Sequence, residues 1–415
     1  MKTFSDLFKV KHGYAFKSKF FADEGAHVVL TPGNFHEKGG FKEQEDKRKF
    51  YTGDIPQDFI LNTGDVIIAM TEQAPGLLGS SAWIPRDGYY LHNQRLGKII
   101  DVNEDEIDLR FLYYLFNTAV VRSQISGSAS GTKIRHTAPE RIGRVRVAIP
   151  AVDEQRRIAT ILSSYDDLIE NNRKRIKLLE RAARLLYKEW FVRLRFPGWE
   201  GVKVVQSELG SIPATWKVAP LGELCTKIGS GSTPRGGEAA YKEEGVTLVR
   251  SQNVYDFAFT MDGLAYIDDE QAADLDGVTL QANDILLNIT GASVGRCCMM
   301  PSRLLPGRVN QHVMIIRADA AKISPAYILC ALNSPARKAQ LLSLAQGKGA
   351  TREALTKSSM EQFKIVLPDE GTWKAFAAKV EPMFELRETL EAQNAALTRA
   401  RDLLLPRLMC GKVKV

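Results

Sequence analysis

The sequence predicts an α+β protein in which two tandem-duplicated α/β domains are separated by two long helices that form an antiparallel coiled coil. Three observations predict it: a long heptad pattern in mid-chain, a second such pattern near the end of the sequence, and an ordered set of motifs that occurs twice. A chain of 415 residues is also long enough for two or three domains with sizeable cores.

The first globular domain is predicted to span residues 1–150. Short runs rich in β-branched and aliphatic residues alternate with Gly and Pro, and strands are expected at 28–30, 65–70 and 144–149. One helix is expected at 108–117, because an aspartate that can cap the first turn precedes a run of apolar residues. Short strands with an interposed helix are typical of a mixed α/β domain.

The first long helix is predicted at 151–195. Its apolar positions alternate steps of three and four residues, which is the repeat of a coiled-coil seam. The seam positions are Ile158, Leu162, Tyr165, Ile169, Asn172, Ile176, Leu179, Ala183, Leu186 and Trp190. Forty residues at a rise of about 1.5 Å each make a helix of about 60 Å. Asn172 is compatible with a buried, register-fixing position or with an exposed one.

Residues 196–215 contain several Gly and Pro and are predicted to be a linker. After the linker, the motifs of the first domain return in the same order. The pairs are 61–71 with 280–290, Asn93-Gln94 with Asn310-Gln311, 115–117 with 331–333, and 149–150 with 367–368, and they lie 216 to 219 residues apart. Residues 216–368 are therefore predicted to be a second copy of the first domain.

Residues 369–415 are predicted to form the second long helix and a C-terminal tail. Its seam positions are Trp373, Phe376, Val380, Met383, Leu390, Asn394, Leu397, Leu404 and Leu408. Arg387 and Arg401 interrupt this stripe, and Pro382 is expected to kink the helix or to mark where its regular part begins. Two such stripes can bury each other in an antiparallel pair with an approximate two-fold axis. The alternative is that each helix packs only on its own domain.

Composition limits the classes of partner. A net charge of +7 and a pI of about 9.0 favour a polyanionic partner, and a basic surface kept for solubility is the alternative. The five cysteines form no C-x-x-C pair and the six histidines show no ligand spacing, so we expect buried free thiols and no metal. No apolar run is long enough for a membrane span, and the N-terminus lacks a signal-peptide pattern, which indicates the cytoplasm.

Motifs for catalysis or cofactor binding are absent from the sequence. There is no G-x-x-x-x-G-K-[ST], and Gly229-Ser-Gly231 lacks the third glycine and the strand-to-helix setting of a dinucleotide site. The Asn/Asp-Pro-Pro-aromatic tetrapeptide of amino-methyltransferases does not occur either. We therefore predict a non-catalytic protein that binds no cofactor.

Two Gly-rich, basic loops occur at equivalent places in the two copies, at 126–136 and 346–352. Their cationic residues are Lys133, Arg135, Lys348 and Arg352. Glycines permit close backbone approach, lysines and arginines attract phosphates, and arginine can also bind a guanine edge. The loops are predicted to contact nucleic acid, and a pair of solvated turns is the alternative.

Polar residues that follow predicted strands form a second candidate group. They are Asn34 in the first domain and Arg250, Gln252 and Asn253 at the equivalent place in the second. Asn and Gln suit adenine edges and Arg suits guanine, but the same residue types are common in ordinary turns. Asn93-Gln94 and Asn310-Gln311 are equally compatible with hydrogen bonds that support the fold.

With the duplication and the two helices, several motifs resemble the specificity subunit of Type I restriction-modification systems. They are Ile-Pro-Ala-Val-Asp-Glu-Gln-Arg-Arg-Ile at 149–158, Leu-Pro-Arg-Leu-Met-Cys-Gly-Lys-Val at 405–413, Gly-Asp-Val-Ile at 64–67, Asn-Asp-Ile-Leu-Leu at 283–287 and Gly-Ala-Ser-Val-Gly at 291–295. The first half departs from the last motif, because 72–79 inserts three residues. The resemblance covers essentially the whole chain.

The resemblance implies two target-recognition domains that each read one half of a split double-stranded DNA sequence, and helices that set the gap and dock two modification subunits. Those methyltransferase subunits bind S-adenosylmethionine, and restriction subunits that use ATP and magnesium join them to cleave DNA. None of this chemistry belongs to the specificity subunit. Reading loops differ between family members, so the resemblance does not identify contact residues. A coiled-coil scaffold that assembles partners without reading DNA is the alternative.

Overall fold

The computed structural model describes residues 1–44, 47–73, 76–346 and 354–415. The chain divides into two compact units, of which unit 1 comprises Met1–Glu170 with Asn394–Val415 and unit 2 comprises Asn171–Gln393. Each unit therefore contains one globular domain together with a segment of both long helices. The domain boundaries predicted from the sequence place the helices in segments of their own, whereas the units divide them because each helix segment packs on a domain core.

Unit 1 combines many short strands with three short helices and the start of a long one. Its strands are β1 (Lys2–Thr3), β2 (Lys9–His12), β3 (Phe21–Ala22), β4 (His27–Val29), β5 (Phe50–Tyr51), β6 (Ile60–Leu61), β7 (Val66–Ala69), β8 (Thr71–Glu72), β9 (Ser81–Trp83), β10 (Tyr90–Leu91), β11 (Leu96–Ile100), β12 (Arg135–His136) and β13 (Arg146–Val147). Its helices are α1 (Leu109–Phe116), α2 (Ala119–Gly127), α3 (Pro139–Gly143), the first part of α4 (Val152–Tyr187) and, from residue 394 onward, the end of the second long helix. Asp108 caps α1 by accepting from the Phe111 amide at 2.8 Å, which confirms the predicted helix start.

An antiparallel sheet in the order β2–β11–β7–β9 lies at the centre of unit 1. Side chains alternate along β7, so Val66 and Ile68 enter the cluster that contains α1 and the start of α4, while Ile67 and Ala69 enter a second cluster. Both faces of β7 are therefore buried, as the sequence predicts. Beside this sheet, β4 pairs in parallel with β10.

Unit 2 repeats this arrangement. Its strands are β14 (Val204–Ser207), β15 (Gly210–Pro213), β16 (Lys217–Pro220), β17 (Cys225–Ser230), β18 (Val246–Val249), β19 (Ala265–Ile267), β20 (Ile285–Asn288), β21 (Cys297–Met299), β22 (Gly307–Val309), β23 (Val313–Ala318) and β24 (Lys364–Leu367). Its helices are the end of α4, α5 (Leu221–Leu224), α6 (Asp269–Asp274), α7 (Pro325–Leu332), α8 (Pro335–Gln346), α9 (Lys357–Glu361) and most of α10 (Glu370–Met409). The sheet order β17–β23–β20–β21 matches that of unit 1, and β18 pairs in parallel with β22, which confirms the duplication.

In unit 1 the start of α4 packs antiparallel to the end of α10. Ile158 and Leu162 share a buried cluster with Leu408, and Arg401 of α10 donates a hydrogen bond to Asp166 of α4. Residues early in α4 thus meet residues late in α10, so these two segments run in opposite directions.

In unit 2 the end of α4 packs antiparallel to the start of α10. Ala183 and Tyr187 of α4, with Trp190 in the helical turn 188–192 that follows it, share a cluster with Phe376 and Val380, and the same cluster continues into the domain core. The predicted antiparallel pairing is confirmed within each unit. The same buried stripes also contact the domain cores, so packing of a helix on a domain occurs together with the pairing of the helices.

Three local expectations have definite outcomes. Asn172 is buried and donates to Gln393 Oε1 at 3.4 Å, so it occupies the seam. The predicted linker at 196–215 is partly ordered, because β14 and β15 pair within it. Pro382 lies inside α10, which continues through it without a break. Proline has no amide hydrogen to donate to the carbonyl of Ala378, one turn earlier. Both residues are exposed on the helix surface.

The cysteines are free, and three of them, Cys297, Cys298 and Cys330, are buried as predicted, whereas Cys410 is exposed. Burial raises the pKa of the Cys297 thiol to about 12, which leaves it protonated and unreactive. In the part of the chain that the structure describes, no cluster of three or more metal-ligating side chains is present. No helix within the described ranges is long and apolar enough to cross a membrane.

Candidate nucleic-acid interface

In unit 1 the candidate interface is built around the backbone of Met70, directly after β7. The Met70 amide donates to the Arg95 carbonyl at 3.0 Å, and the Met70 carbonyl accepts from the Thr137 amide at 2.9 Å. Two turns are thereby fixed on either side of one residue. One is the turn 93–95 before β11, and the other is the loop 130–136 that leads into β12.

The turn 93–95 exposes two polar side chains. Asn93 Oδ1 accepts the Arg95 amide at 3.2 Å, so Asn93 supports the turn. Gln94 and Arg95 are exposed, and the Arg95 guanidinium has no hydrogen-bond or ion-pair partner among the described residues. Arg95 is a candidate contact that the sequence did not single out. Its position beside the repeated Asn-Gln pair was the available signal.

The loop 130–136 is a tight turn with an exposed tip. Ser130 and His136 exchange two backbone hydrogen bonds of 3.0 and 2.8 Å. Gly131 has a φ of +99°, and a Cβ there would lie 2.0 Å from the Ile134 carbonyl oxygen, so only glycine fits. Lys133 lies at the tip, is exposed, and has no side-chain partner within the described residues. The structure thus places this predicted cation where a ligand can reach it.

Arg135 has a different position, because it anchors the loop. Its Nη1 donates to Glu72 Oε1 at 3.1 Å, and the Glu72 side chain is only 2% exposed. The other carboxylate oxygen of Glu72 accepts the amides of Gly76, Leu77 and Leu78 at 3.0, 3.0 and 2.8 Å. One buried carboxylate therefore holds two loops together. In the sequence, the signal for this role of Glu72 is its place at the start of the three-residue insertion within 72–79.

Unit 2 has the same arrangement around Ile289, directly after β20. The Ile289 amide donates to the His312 carbonyl at 3.0 Å, and the Leu355 amide donates to the Ile289 carbonyl at 2.8 Å. Asn310 Oδ1 accepts the His312 amide at 3.0 Å, as Asn93 does for Arg95. Gln311 and His312 are half-buried at this turn. The two copies thus share the backbone frame and differ in the side chains that they present.

The second basic loop, with Lys348 and Arg352, lies outside the described residues. Its flanks are described, and the Ala354 amide donates to the Ala345 carbonyl at 3.1 Å. Ala354 also forms a bridge with Thr290, the residue after Ile289. The ends of the loop are therefore fixed at the place that corresponds to loop 130–136 in unit 1.

Asn34 and Asn253 support equivalent turns and are both buried. Asn34 Oδ1 accepts the Thr31 amide at 2.9 Å, and Asn253 Oδ1 accepts the Arg250 amide at 3.1 Å. Each Nδ2 group donates to a backbone carbonyl within its own unit. In this conformation neither asparagine is available to a base edge, because burial and backbone hydrogen bonds occupy both side chains. This corrects the expectation from the sequence.

Arg250 and Gln252 lie on the outer side of the second of these turns, which we call the reading turn (250–253). Both donate to the carbonyl of Gly263, Gln252 Nε2 at 3.0 Å. The Arg250 guanidinium also stacks on Tyr241 at 4.8 Å, and its Nε is buried without a hydrogen-bond partner among the described atoms. Gln252 is exposed. These two side chains are pre-ordered at the edge of unit 2.

A mixed α/β domain that occurs twice and packs each time on a pair of antiparallel helix segments is the architecture of a DNA specificity subunit. The chain belongs to the family described as Type I restriction modification DNA specificity domain, which matches residues 1–181 and 213–399. Members of this family are the non-catalytic DNA-recognition subunits of their systems, and the catalytic activities belong to other subunits.

Two relatives and one solved structure illustrate the similarity. The chain is 27% identical over 326 residues to the type I restriction enzyme MjaIX specificity subunit of Methanocaldococcus jannaschii, covering 78% of this chain and 73% of the relative. It is 26% identical to the putative MjaX specificity subunit of the same organism, covering 88% and 83%. The crystal structure of a Type I restriction-modification S subunit from M. genitalium has the same fold, with a TM-score of 0.61, 16% identity, and coverage of 98% and 95%.

Proposed function

We propose that this chain reads a bipartite double-stranded DNA site for a Type I restriction-modification complex, with each unit contacting one half of the site. The observation that carries the proposal is the repeated frame around Met70 and Ile289. A frame that is kept twice while its exposed side chains differ suits two heads that read two different sequences.

The exposed side chains of the frame have the chemistry that DNA contact requires. Lys133 and Arg95 supply cations for phosphates, and arginine can also donate two hydrogen bonds to guanine. Gln94 of the frame, and Gln252 of the reading turn, can bind adenine edges. We propose Lys348, Arg352 and Arg250 as contacts of unit 2, and assign to Arg135, Asn34 and Asn253 the role of holding the loops and turns in shape.

The partners in this proposal are two modification (methyltransferase) subunits, which dock on the long helices, and restriction subunits with ATP-dependent nuclease activity. The lengths of the helices would set the gap between the half-sites. Exposed leucines along α4, namely Leu168, Leu178 and Leu185, supply apolar surface that suits protein docking. This chain itself would bind no cofactor.

The test is DNA binding by the complex that is co-purified with its modification subunits. Lys133→Ala and Arg95→Ala should each weaken binding to a random-sequence duplex and lower the slope of log affinity against log salt by about 1, because each substitution removes one phosphate contact. Fluorescence anisotropy over a salt series measures both quantities. Lys203→Ala, an exposed lysine outside the frame, is the matched control and should change neither. Affinity that does not respond to salt would instead favour the scaffold alternative.

A further inference from the structure

The reading turn of unit 2 is continuous with a short hairpin at 254–259. The Thr260 amide donates to the Asn253 carbonyl at 2.9 Å, and Asn253 Nδ2 donates back to the Thr260 carbonyl at 3.0 Å. At the tip, the Tyr255 amide donates to the Ala258 carbonyl at 2.9 Å. A displacement of the hairpin tip would therefore be transmitted to the reading turn through a few backbone hydrogen bonds.

Phe257, at the tip of this hairpin, has an unusual backbone conformation. Its φ is +61°, in the left-handed region that favours glycine. The equivalent residue of unit 1 is Gly40, with a φ of +101°. The equivalence is clear from their amides, which donate at 2.9 Å to the carbonyls of Cys297 and Ser81, the first residues of β21 and β9. Unit 2 thus places a large side chain where unit 1 uses glycine.

Both long helices hold Phe257 in place. Its carbonyl accepts a hydrogen bond from Arg387 Nη1 of α10, and its ring lies under the guanidinium of Arg184 of α4, 4.4 Å from the ring centroid. Phe257 is buried. One arginine from each helix thus holds Phe257 in a strained conformation, and strained residues that are held in this way cluster at functional sites.

Arg387 is itself buried and surrounded by carboxylates. Its Nη1 lies 3.7 Å from Glu180 Oε1 of α4, and its Nε lies 3.3 Å from Glu391 Oε1 of α10. Burial raises the pKa of both glutamates, while the charge of Arg387 acts in the opposite direction. A buried ion cluster contributes little net stability compared with apolar packing, so its value lies in fixing a geometry.

We propose that Arg387 and Phe257 are positioning residues, which fix the orientation of the reading turn on the paired helix segments of unit 2. The proposal rests on the proposed function, because it assumes that the reading turn contacts DNA. In unit 1 the corresponding hairpin tip contacts α10 through Lys38 and Asp402, 3.5 Å apart, with the lysine side chain 82% exposed. An exposed pair of this kind constrains little. Recognition by unit 2 should therefore depend on its helix contact far more than recognition by unit 1.

The experiment measures the two half-sites separately in one complex. The co-purified complex is titrated with the duplex that it selects from a random pool and with two versions in which one half-site is scrambled. Gln94→Ala, which removes a proposed base contact of unit 1, identifies the half read by unit 1. Arg387→Lys keeps the charge beside Glu180 and Glu391 but cannot donate to the carboxylates and to Phe257 in the same fork geometry. We expect discrimination at the unit 2 half to fall about tenfold and discrimination at the unit 1 half to stay within about twofold.

Two further variants complete the test. Phe257→Gly removes the ring from Arg184 and keeps the backbone carbonyl, so it should give the same selective loss even where Arg387→Lys folds poorly. Lys38→Ala is the matched control and should leave both halves unchanged. An equal loss at both halves, or no loss in either Arg387→Lys or Phe257→Gly, would overturn the proposal. A wild-type complex without any sequence preference would overturn the proposed function itself, which is a distinguishable result.

Discussion

At the scale of single residues, one buried carboxylate determines the shape of the loop that presents Lys133. Glu72 accepts three amides and pairs with Arg135, and a charged group that is buried in this way is costly to disturb. Glu72→Gln removes the charge that faces Arg135, and we expect the free energy of unfolding to fall by about 2 kcal/mol. Urea unfolding measures the change. Glu104→Gln, at an exposed position in the same unit, is the control, and an equal effect of both variants would contradict the assignment.

His92, which precedes the turn 93–95, adds a dependence of stability on pH. Burial lowers the pKa of its ring from 6.5 to about 4, although the hydrogen bond with the Leu96 carbonyl acts in the opposite direction. Below pH 6.5 the unfolded chain binds a proton that the folded chain does not, so this contribution to stability is present above pH 6.5 and is lost as the pH falls towards 4.

His92→Val should remove this dependence, because valine has no group that titrates. Valine should also fit the site, because Val309 occupies the equivalent position in unit 2. Relative to the variant, the wild type should lose on the order of 3 kcal/mol of stability between the two pKa values. Urea midpoints at pH 7.5, 6, 5 and 4 for both chains provide the comparison. Parallel curves would show that His92 is not the group responsible.

At the scale of elements, two leucines of α4 differ in exposure because only one of them lies in the buried stripe of the helix. Leu162 is fully buried in the cluster that includes Leu408, whereas Leu168 is 51% exposed on the same helix. Leu162→Glu should destabilise unit 1 by about 4 kcal/mol or more, because it buries an unpaired carboxylate and removes apolar packing. Leu168→Glu should change the free energy of unfolding by less than about 0.5 kcal/mol. The two variants are compared by urea unfolding and by their resistance to proteolysis. A well-folded Leu162→Glu chain would contradict the pairing of α4 with α10.

The elements also show how far local patterns predict structure. The heptad rhythm predicts both long helices, because a helix with one apolar stripe needs only its own sequence to be recognised. The role of Arg401 was not predictable from the stripe that it interrupts. Its partner Asp166 lies 235 positions away and also accepts the Tyr114 hydroxyl at 2.6 Å. The two-residue strands could not be predicted from local sequence either, because such short strands depend on pairing partners that are distant in the sequence.

At the scale of the whole molecule, the duplication could be predicted because the repeated motifs keep their order and spacing. The position of Lys133 at a loop tip could be predicted too, since a glycine-rich basic loop has local signals. The roles of Asn34, Asn253 and Arg135 could not. An asparagine that caps a turn and one that reads adenine are the same residue type, so the turn bonds of Asn34 and Asn253 are seen only in the folded structure. Arg135 has its partner, Glu72, 63 positions away in the sequence.

The measurement that tests the central claim most directly is the selection of bound duplexes from a random pool by the co-purified complex, for the wild type and for Gln94→Ala. The account predicts a split motif, with two specified segments separated by bases that are not read. It also predicts that Gln94→Ala, which removes a proposed base contact of unit 1, relaxes one segment and leaves the other unchanged. A single continuous motif, or a variant that alters both segments equally, would contradict the account of two separate reading heads.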